Sequence, residues 1–182
     1  SGPEIRTGQV ENGKVEILSG QDFMLTPRQV AGNQHQVPIT YDQLAASVQP
    51  GQIILLDDGL IRLQVSKIEG PDIHCKVLNG GILTNRRGVN VPGASLPFPV
   101  ITEKDKEDLR FGVSQGVDII AASFVRSAED VKSIRAFLNE LGGSQSIIAK
   151  IESQEGVRNV REILAQADGL MVARGDLGVE IS

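Results

Sequence analysis

Ser146-Ile147-Ile148-Ala149-Lys150-Ile151-Glu152-Ser153-Gln154-Glu155-Gly156-Val157 decides how the chain folds. The run up to Ile151 is nearly all apolar, as expected for a strand covered on both faces. A helix is expected over 156–167, with Val157, Val160, Ile163 and Leu164 on one face. Gly169 to Ala173 reads as the next strand. Upstream, Asp118 to Phe124 is another short apolar strand. Ser127 caps a helix with Asp130 at the third position, and Gly142-Gly143 stops it. Further back, Thr102 and Asp105 form the same box, and Gly116 ends that helix. Alternation of helix and strand gives parallel strands covered by helices.

Polar residues gather at or just beyond the C-terminal ends of these strands: Ser123 and Arg126, Lys150 and Glu152, Arg174 and Asp176. In a (β/α) barrel that end holds the active site, and an open doubly wound sheet binds ligands there too. Lys150 and Glu152 are two apart in a strand and share a face. They form a salt bridge at a strand end, or a cation and carboxylate aimed into a polar mouth. Lysine there neutralises phosphoryl or enolate charge, and glutamate holds a divalent metal. Met171 to Gly178 ends a strand in a glycine-spaced charged turn. That turn is a simple capping motif, or Asp176 meets Glu152 at one hard cation such as Mg²⁺.

From Gly8 to Val91 the texture differs. Short apolar runs are cut by turns, and a small all-β domain is expected, read as an antiparallel sheet. Strands are placed at Lys14 to Leu18, Phe23 to Thr26, Ile73 to Val77 and Gly80 to Thr84. Ile53 to Leu56 and Leu60 to Val65 flank Asp57-Asp58-Gly59, a hairpin signal. Arg6, Arg86 and Arg87 are surface charges or phosphate-binding groups. His35 and His74 show neither metal spacing nor a readable acid partner, and Cys75 alternates with Ile73 and Val77 as a core residue.

Composition narrows the partners. The 182 residues carry a net charge of −5, with 3% aromatics and no Trp. An acidic chain poor in stacking groups argues against a nucleic-acid partner. No apolar run is long enough for a membrane span. Ser1 to Thr7 lacks the basic head of a signal peptide. One cysteine allows no intrachain disulfide, so a reducing compartment is expected.

Several segments together resemble the pyruvate kinase family. They are Gly2-Pro3-Glu4-Ile5-Arg6-Thr7, Asp57-Asp58-Gly59-Leu60-Ile61, Arg87-Gly88-Val89-Asn90-Val91-Pro92-Gly93, the Ser146 to Val157 run and Met171 through Glu180. The likeness covers essentially the whole chain, in the right order. It implies an α/β fold: part of a (β/α)8 TIM barrel with an inserted small all-β barrel-like domain. Residues 1–8 would end a barrel strand and form the hinge, 9–91 the inserted B domain, and 92–182 the central part of the catalytic domain.

The resemblance also implies phosphoryl transfer from phosphoenolpyruvate to ADP, giving ATP and pyruvate, in a cytoplasmic homotetramer. Lys150 would be the catalytic cation. Lys150, Arg174, Gly175 and Asp176 would bind substrate, and Glu152 and Asp176 would hold Mg²⁺ or Mn²⁺. Arg6 and Arg87 would meet the nucleotide phosphates. Arg87 stands where many family members have lysine, which keeps the charge and changes its geometry. Glu4 matches potassium-dependent members, although most K⁺ ligands would precede Ser1. The family's proton-donor threonine would follow Ser182, so the chain alone is expected to lack turnover. The alternatives are another Mg-dependent barrel enzyme acting on a phosphorylated keto acid, or a non-catalytic folding or assembly fragment.

Overall fold

The structure, a computed structural model, describes residues 5–94 and 96–180. Those up to Leu96 form one unit and those from Pro97 a second.

The first unit is all-β apart from short helical turns. Its strands are β1 (Ile5–Arg6), β2 (Lys14–Ile17), β3 (Asp22–Thr26), β4 (Gln36–Pro38), β5 (Ile53–Leu56), β6 (Ile61–Glu69), β7 (Asp72–Asn79), β8 (Gly81–Thr84) and β9 (Gly88–Asn90), with α1 (Leu44–Ser47) between β4 and β5. Seven of them form one sheet in the order β1-β9-β5-β6-β7-β3-β4, while β2 and β8 pair separately. Left-handed residues Asp57 (φ 52), Asp58 (φ 54) and Gly59 (φ 85) reverse the chain between β5 and β6. Aspartate tolerates that conformation better than most side chains. Along β6, Ile61, Leu63 and Val65 are buried while Arg62 and Gln64 are exposed. That alternation makes one face of the sheet the core, where Cys75 also lies. Burial pushes the Cys75 thiol pKa up to about 12, so it packs as an inert apolar group.

Three details differ from the sequence reading. The sheet is not wholly antiparallel, because β4 runs parallel to β3, with Met24 opposite Gln36. The 27–35 loop brings the chain back before β4 starts, and Pro38 is tolerated because β4 is an edge strand. The short β8 pairs with β2, which holds the N-terminal part of the unit to its C-terminal part. His74 does have an acid partner: its Nε2 lies 3.1 Å from Glu69 on the neighbouring strand.

The second unit contains α2 (Glu103–Ser114), β10 (Ile119–Ala122), α3 (Ala128–Glu140), β11 (Ser146–Ile151), α4 (Gln154–Arg158), α5 (Val160–Leu164), β12 (Gly169–Val172) and α6 (Arg174–Glu180). Both expected capping boxes are present: Thr102 with Asp105 opens α2, and Ser127 with Asp130 opens α3. Strands β10, β11 and β12 are parallel and adjacent in that order. Ile147, Ala149 and Ile151 point from β11 into a core shared with Val131, Ile134 and Leu138 of α3 and Ile163 of α5. Each large aliphatic side chain buried there contributes about 1.5–3 kcal/mol. The fold is α/β, part of a (β/α)8 barrel with an inserted small all-β domain.

The single helix expected over 156–167 is two, broken at Asn159 (φ −96, ψ 11). The Asn159 side chain donates to the Arg126 carbonyl at 2.9 Å, an alternative that competes with a continuous helix. Gly156 explains the close approach here. A Cβ on it would sit 2.8 Å from the Val125 carbonyl oxygen. The charged segment after β12, read as a turn, is the helix α6.

Asp168 ties this unit together. Its Oδ2 accepts from the Ile147 N–H at 2.7 Å and from Arg135 at 2.5 Å. The Ile147 N–H foremost, with Arg135 beside it, holds the Asp168 carboxyl below the ordinary aspartate range. A depressed carboxylate stabilises the fold above its unfolded pKa, and that contribution is lost as pH falls through the folded value. Asp168→Asn is therefore expected to lower the Tm at neutral pH and to flatten its decline below about pH 4. Thermal unfolding followed by circular dichroism across pH 2–7 checks this. An unchanged acid slope would remove Asp168 from the account.

Candidate functional site

The C-terminal ends of β10 and β11 build the site. Lys150 is on β11 opposite the buried Ile151 face, and Glu152 follows one residue past the strand. Lys150 Nζ lies 2.7 Å from Glu152 Oε1 and donates to Ser123 Oγ at 3.2 Å. The two charged groups therefore share a face, as their spacing requires. Their environments are unequal: the Glu152 side chain is 1% exposed, the Lys150 side chain 25%. A carboxylate this buried needs partners on both oxygens. The second oxygen, Oε2, accepts from the Phe124 N–H.

Phe124 is the residue that the sequence reading missed. It sits just beyond β10 with φ 53, a left-handed conformation unusual for a bulky side chain. No sequence signal marks it, because aromatic residues carry no left-handed preference. The strain has a visible counterpart in the N–H that it delivers to Glu152. Ser123 and Phe124 together receive the Lys150–Glu152 pair from the neighbouring strand.

Arg126 does not join that pair. Its N–H donates to Asp130 Oδ2 at 2.7 Å, and its guanidinium reaches the Phe98 carbonyl at 3.3 Å and Asp130 at 3.9 Å. These contacts join the start of α3 to the segment before α2.

Arg174, Gly175 and Asp176 lie in the first turn of α6, just past the C-terminal end of β12. Met171 pairs with Lys150 across the sheet, and the Ala173 N–H donates to the Ile151 carbonyl at 3.2 Å. Asp176 thus stands at the same end of the sheet as Glu152, and it is exposed. A Cβ on Gly175 would meet nothing within 4 Å, so the backbone there is open. Among the described residues, no group of three or more His, Cys, Asp or Glu side chains is gathered to hold a metal. Glu152 and Asp176 are two carboxylates at one sheet end, the donor type that a hard divalent cation takes, and both Glu152 oxygens are already engaged by Lys150 and the Phe124 N–H.

The all-β unit carries the two candidate nucleotide-binding arginines, Arg6 and Arg87. Arg6 pairs with Gly88 across the β1–β9 ladder, and its Nη1 donates to the Arg86 carbonyl at 2.8 Å. Arg87 donates from Nε to Thr84 Oγ1 at 2.5 Å and lies 3.6 Å from Asp57 through Nη1. The ladder places both arginines at one end of this sheet. Glu4 lies outside the described residues. No helix among them is long and apolar enough to cross a membrane.

The sequence matches the family described as "Pyruvate kinase, barrel domain" over residues 1–182. It is 54% identical over 186 residues to a pyruvate kinase of Sporosarcina psychrophila, and 50% identical over 182 residues to that of Staphylococcus aureus strain MRSA252. Each match covers 99% of this chain and 31% of the relative, so the chain spans about a third of the length of those proteins. With a full-length family match and a lysine–glutamate pair at the strand ends of a parallel α/β sheet, the chain belongs to the pyruvate kinase family.

Proposed function

We propose that this chain supplies part of the active site of an enzyme that moves a phosphoryl group from phosphoenolpyruvate to ADP, giving ATP and pyruvate. The observation that carries the reading is the Lys150–Glu152 pair, braced by Ser123 and the Phe124 N–H at the strand ends. In this reading residues 92–182 form the middle of the catalytic barrel and residues 9–91 form the B domain. Assembly as a homotetramer, a cytoplasmic location and a requirement for K⁺ belong to the same proposal.

Phosphoryl transfer needs positioning and charge neutralisation more than covalent chemistry. Lys150 is the catalytic residue. Its ammonium offers N–H donors to the oxygens of the phosphoryl group in flight and to the enolate oxygen left behind, where charge develops. Glu152 aims that ammonium by pairing with it at 2.7 Å from a buried position. Glu152 and Asp176 would hold Mg²⁺ or Mn²⁺, and when bound the ion supplies Lewis-acid neutralisation of substrate oxygens. The open backbone at Arg174, Gly175 and Asp176, with Lys150, would bind the phosphoenolpyruvate carboxylate and phosphate. Arg6 and Arg87 would bind the nucleotide phosphates.

The full-length polypeptide that carries this segment is expected to form ATP from ADP in the presence of Mg²⁺ and K⁺ only when phosphoenolpyruvate is added. A coupled hexokinase assay reads this. ATP formation that ignores phosphoenolpyruvate, or none at all, would remove the proposal.

A further inference from the structure

Arg87 is held before any ligand arrives. The chain turns between β8 and β9 through Arg86, a left-handed residue at φ 54. That turn brings Thr84, the last residue of β8, against Arg87, which precedes β9, and Thr84 Oγ1 accepts from Arg87 Nε at 2.5 Å. A second left-handed turn does the same from the other side. Asp57, at φ 52, donates its N–H to the Gly88 carbonyl at 3.0 Å, which sets its carboxylate 3.6 Å from Arg87 Nη1. The Asp57 side chain is only 18% exposed, whereas Arg87 is 46% exposed. Thr84 thus accepts a hydrogen bond from one guanidinium nitrogen of this long side chain, and the Asp57 carboxylate stands within ion-pair range of a second. Nη2 is the nitrogen that neither contact uses.

We propose that Thr84 and Asp57 are positioning residues for Arg87, fixing its guanidinium so that Nη2 is presented to a phosphate group of a nucleoside diphosphate. The inference rests on the nucleotide-binding role given to Arg87 above, and deepens it. A free arginine loses rotamer freedom when it clamps a phosphate. Holding it beforehand removes about two- to tenfold of that loss from the affinity. Lysine has no counterpart to the Nε–H, so the device exists only because this chain carries arginine at position 87.

The test uses the full-length polypeptide and a two-by-two cycle of Thr84→Val and Arg87→Lys, with Asp57→Asn alongside. Valine keeps the β-branched shape of threonine, and asparagine tolerates the left-handed backbone, so each variant retains the local fold. Thr84→Val is expected to raise KM for ADP about two- to tenfold, leaving kcat and KM for phosphoenolpyruvate unchanged. In the Arg87→Lys background the same substitution is expected to be silent. An equal effect in both backgrounds, or a loss confined to kcat, would overturn the positioning role of Thr84. Asp57→Asn is expected to raise KM for ADP. A lowered KM would mean that the carboxylate merely repels phosphate, and would overturn its half of the proposal. Arg87→Ala separates the two levels. If it leaves KM for ADP unchanged, the nucleotide role itself fails and this inference falls with it. If it raises KM while Thr84→Val and Asp57→Asn do nothing, only the inference fails.

Discussion

Lys150→Met in the full-length polypeptide is expected to lower phosphoryl transfer from phosphoenolpyruvate to ADP by about 10²–10³ in kcat or more, the scale for removing one donor aimed at developing charge. The effect should fall on kcat rather than on KM for either substrate. In the proposed role Lys150 interacts most strongly where charge accumulates, and an interaction made only in the transition state lowers kcat and kcat/KM together. Methionine is the informative replacement because it keeps the length and apolar stem of lysine. The smaller alanine would also open space beside Ser123.

The same substitution tests the fold, because Lys150 is the cation opposite Glu152. Removing one member of a buried pair leaves the other uncompensated, which costs about 3–5 kcal/mol for a fully buried pair. Here Lys150 is a quarter exposed, so water screens part of the charge and the cost should lie at or below the lower end. Thermal unfolding of the variant should therefore show a lowered but cooperative transition. Near-normal turnover in a folded Lys150→Met variant would defeat the charge role. Lost turnover with an unfolded chain is resolved by Lys150→Arg, which keeps the charge and the pairing with Glu152. Arg and Lys differ in shape at a phosphoryl group, so Arg should restore the fold without restoring full kcat.

What the sequence made legible follows from how local each signal is. The capping boxes at Thr102 and Ser127 lie within one helical turn, and both appear as expected. The Asp57-Asp58-Gly59 hairpin is equally local: Asp58 and Gly59 are left-handed as an Asp-Gly turn requires, and Asp57 is left-handed as well. The Lys150–Glu152 contact was legible because strand periodicity alone puts the two on one face. Signals failed where a distant partner decides the outcome. The break at Asn159 depends on the Arg126 carbonyl, thirty-three positions away in sequence. The parallel pairing of β4 with β3 depends on which edge the sheet leaves open. Phe124 was invisible for the same reason. Its left-handed backbone makes sense only beside Glu152, which reaches it from the next strand.

Glu152 and Asp176 are expected to behave alike toward metal and differently toward stability. Each of Glu152→Gln and Asp176→Asn should weaken Mn²⁺ binding to the full-length polypeptide at least about tenfold, since even groups that only support a metal ligand typically change affinity about 10–100-fold. Electron paramagnetic resonance of free Mn²⁺ reads this directly. The folds should respond unequally. Asp176 is exposed on α6, and surface substitutions of that kind usually stay within about 0.5 kcal/mol. Glu152 is enclosed and accepts from the Phe124 N–H while pairing with Lys150. Glutamine can still accept from that N–H, so Glu152→Gln should remain folded. Glu152→Ala strands the donor and should cost a further roughly 1–3 kcal/mol. Mn²⁺ affinity unchanged in both the glutamine and asparagine variants would remove the metal assignment. Equal stability of Glu152→Ala and Glu152→Gln would show that the Phe124 N–H does not depend on this carboxylate. In that case the left-handed Phe124 would need another physical cause.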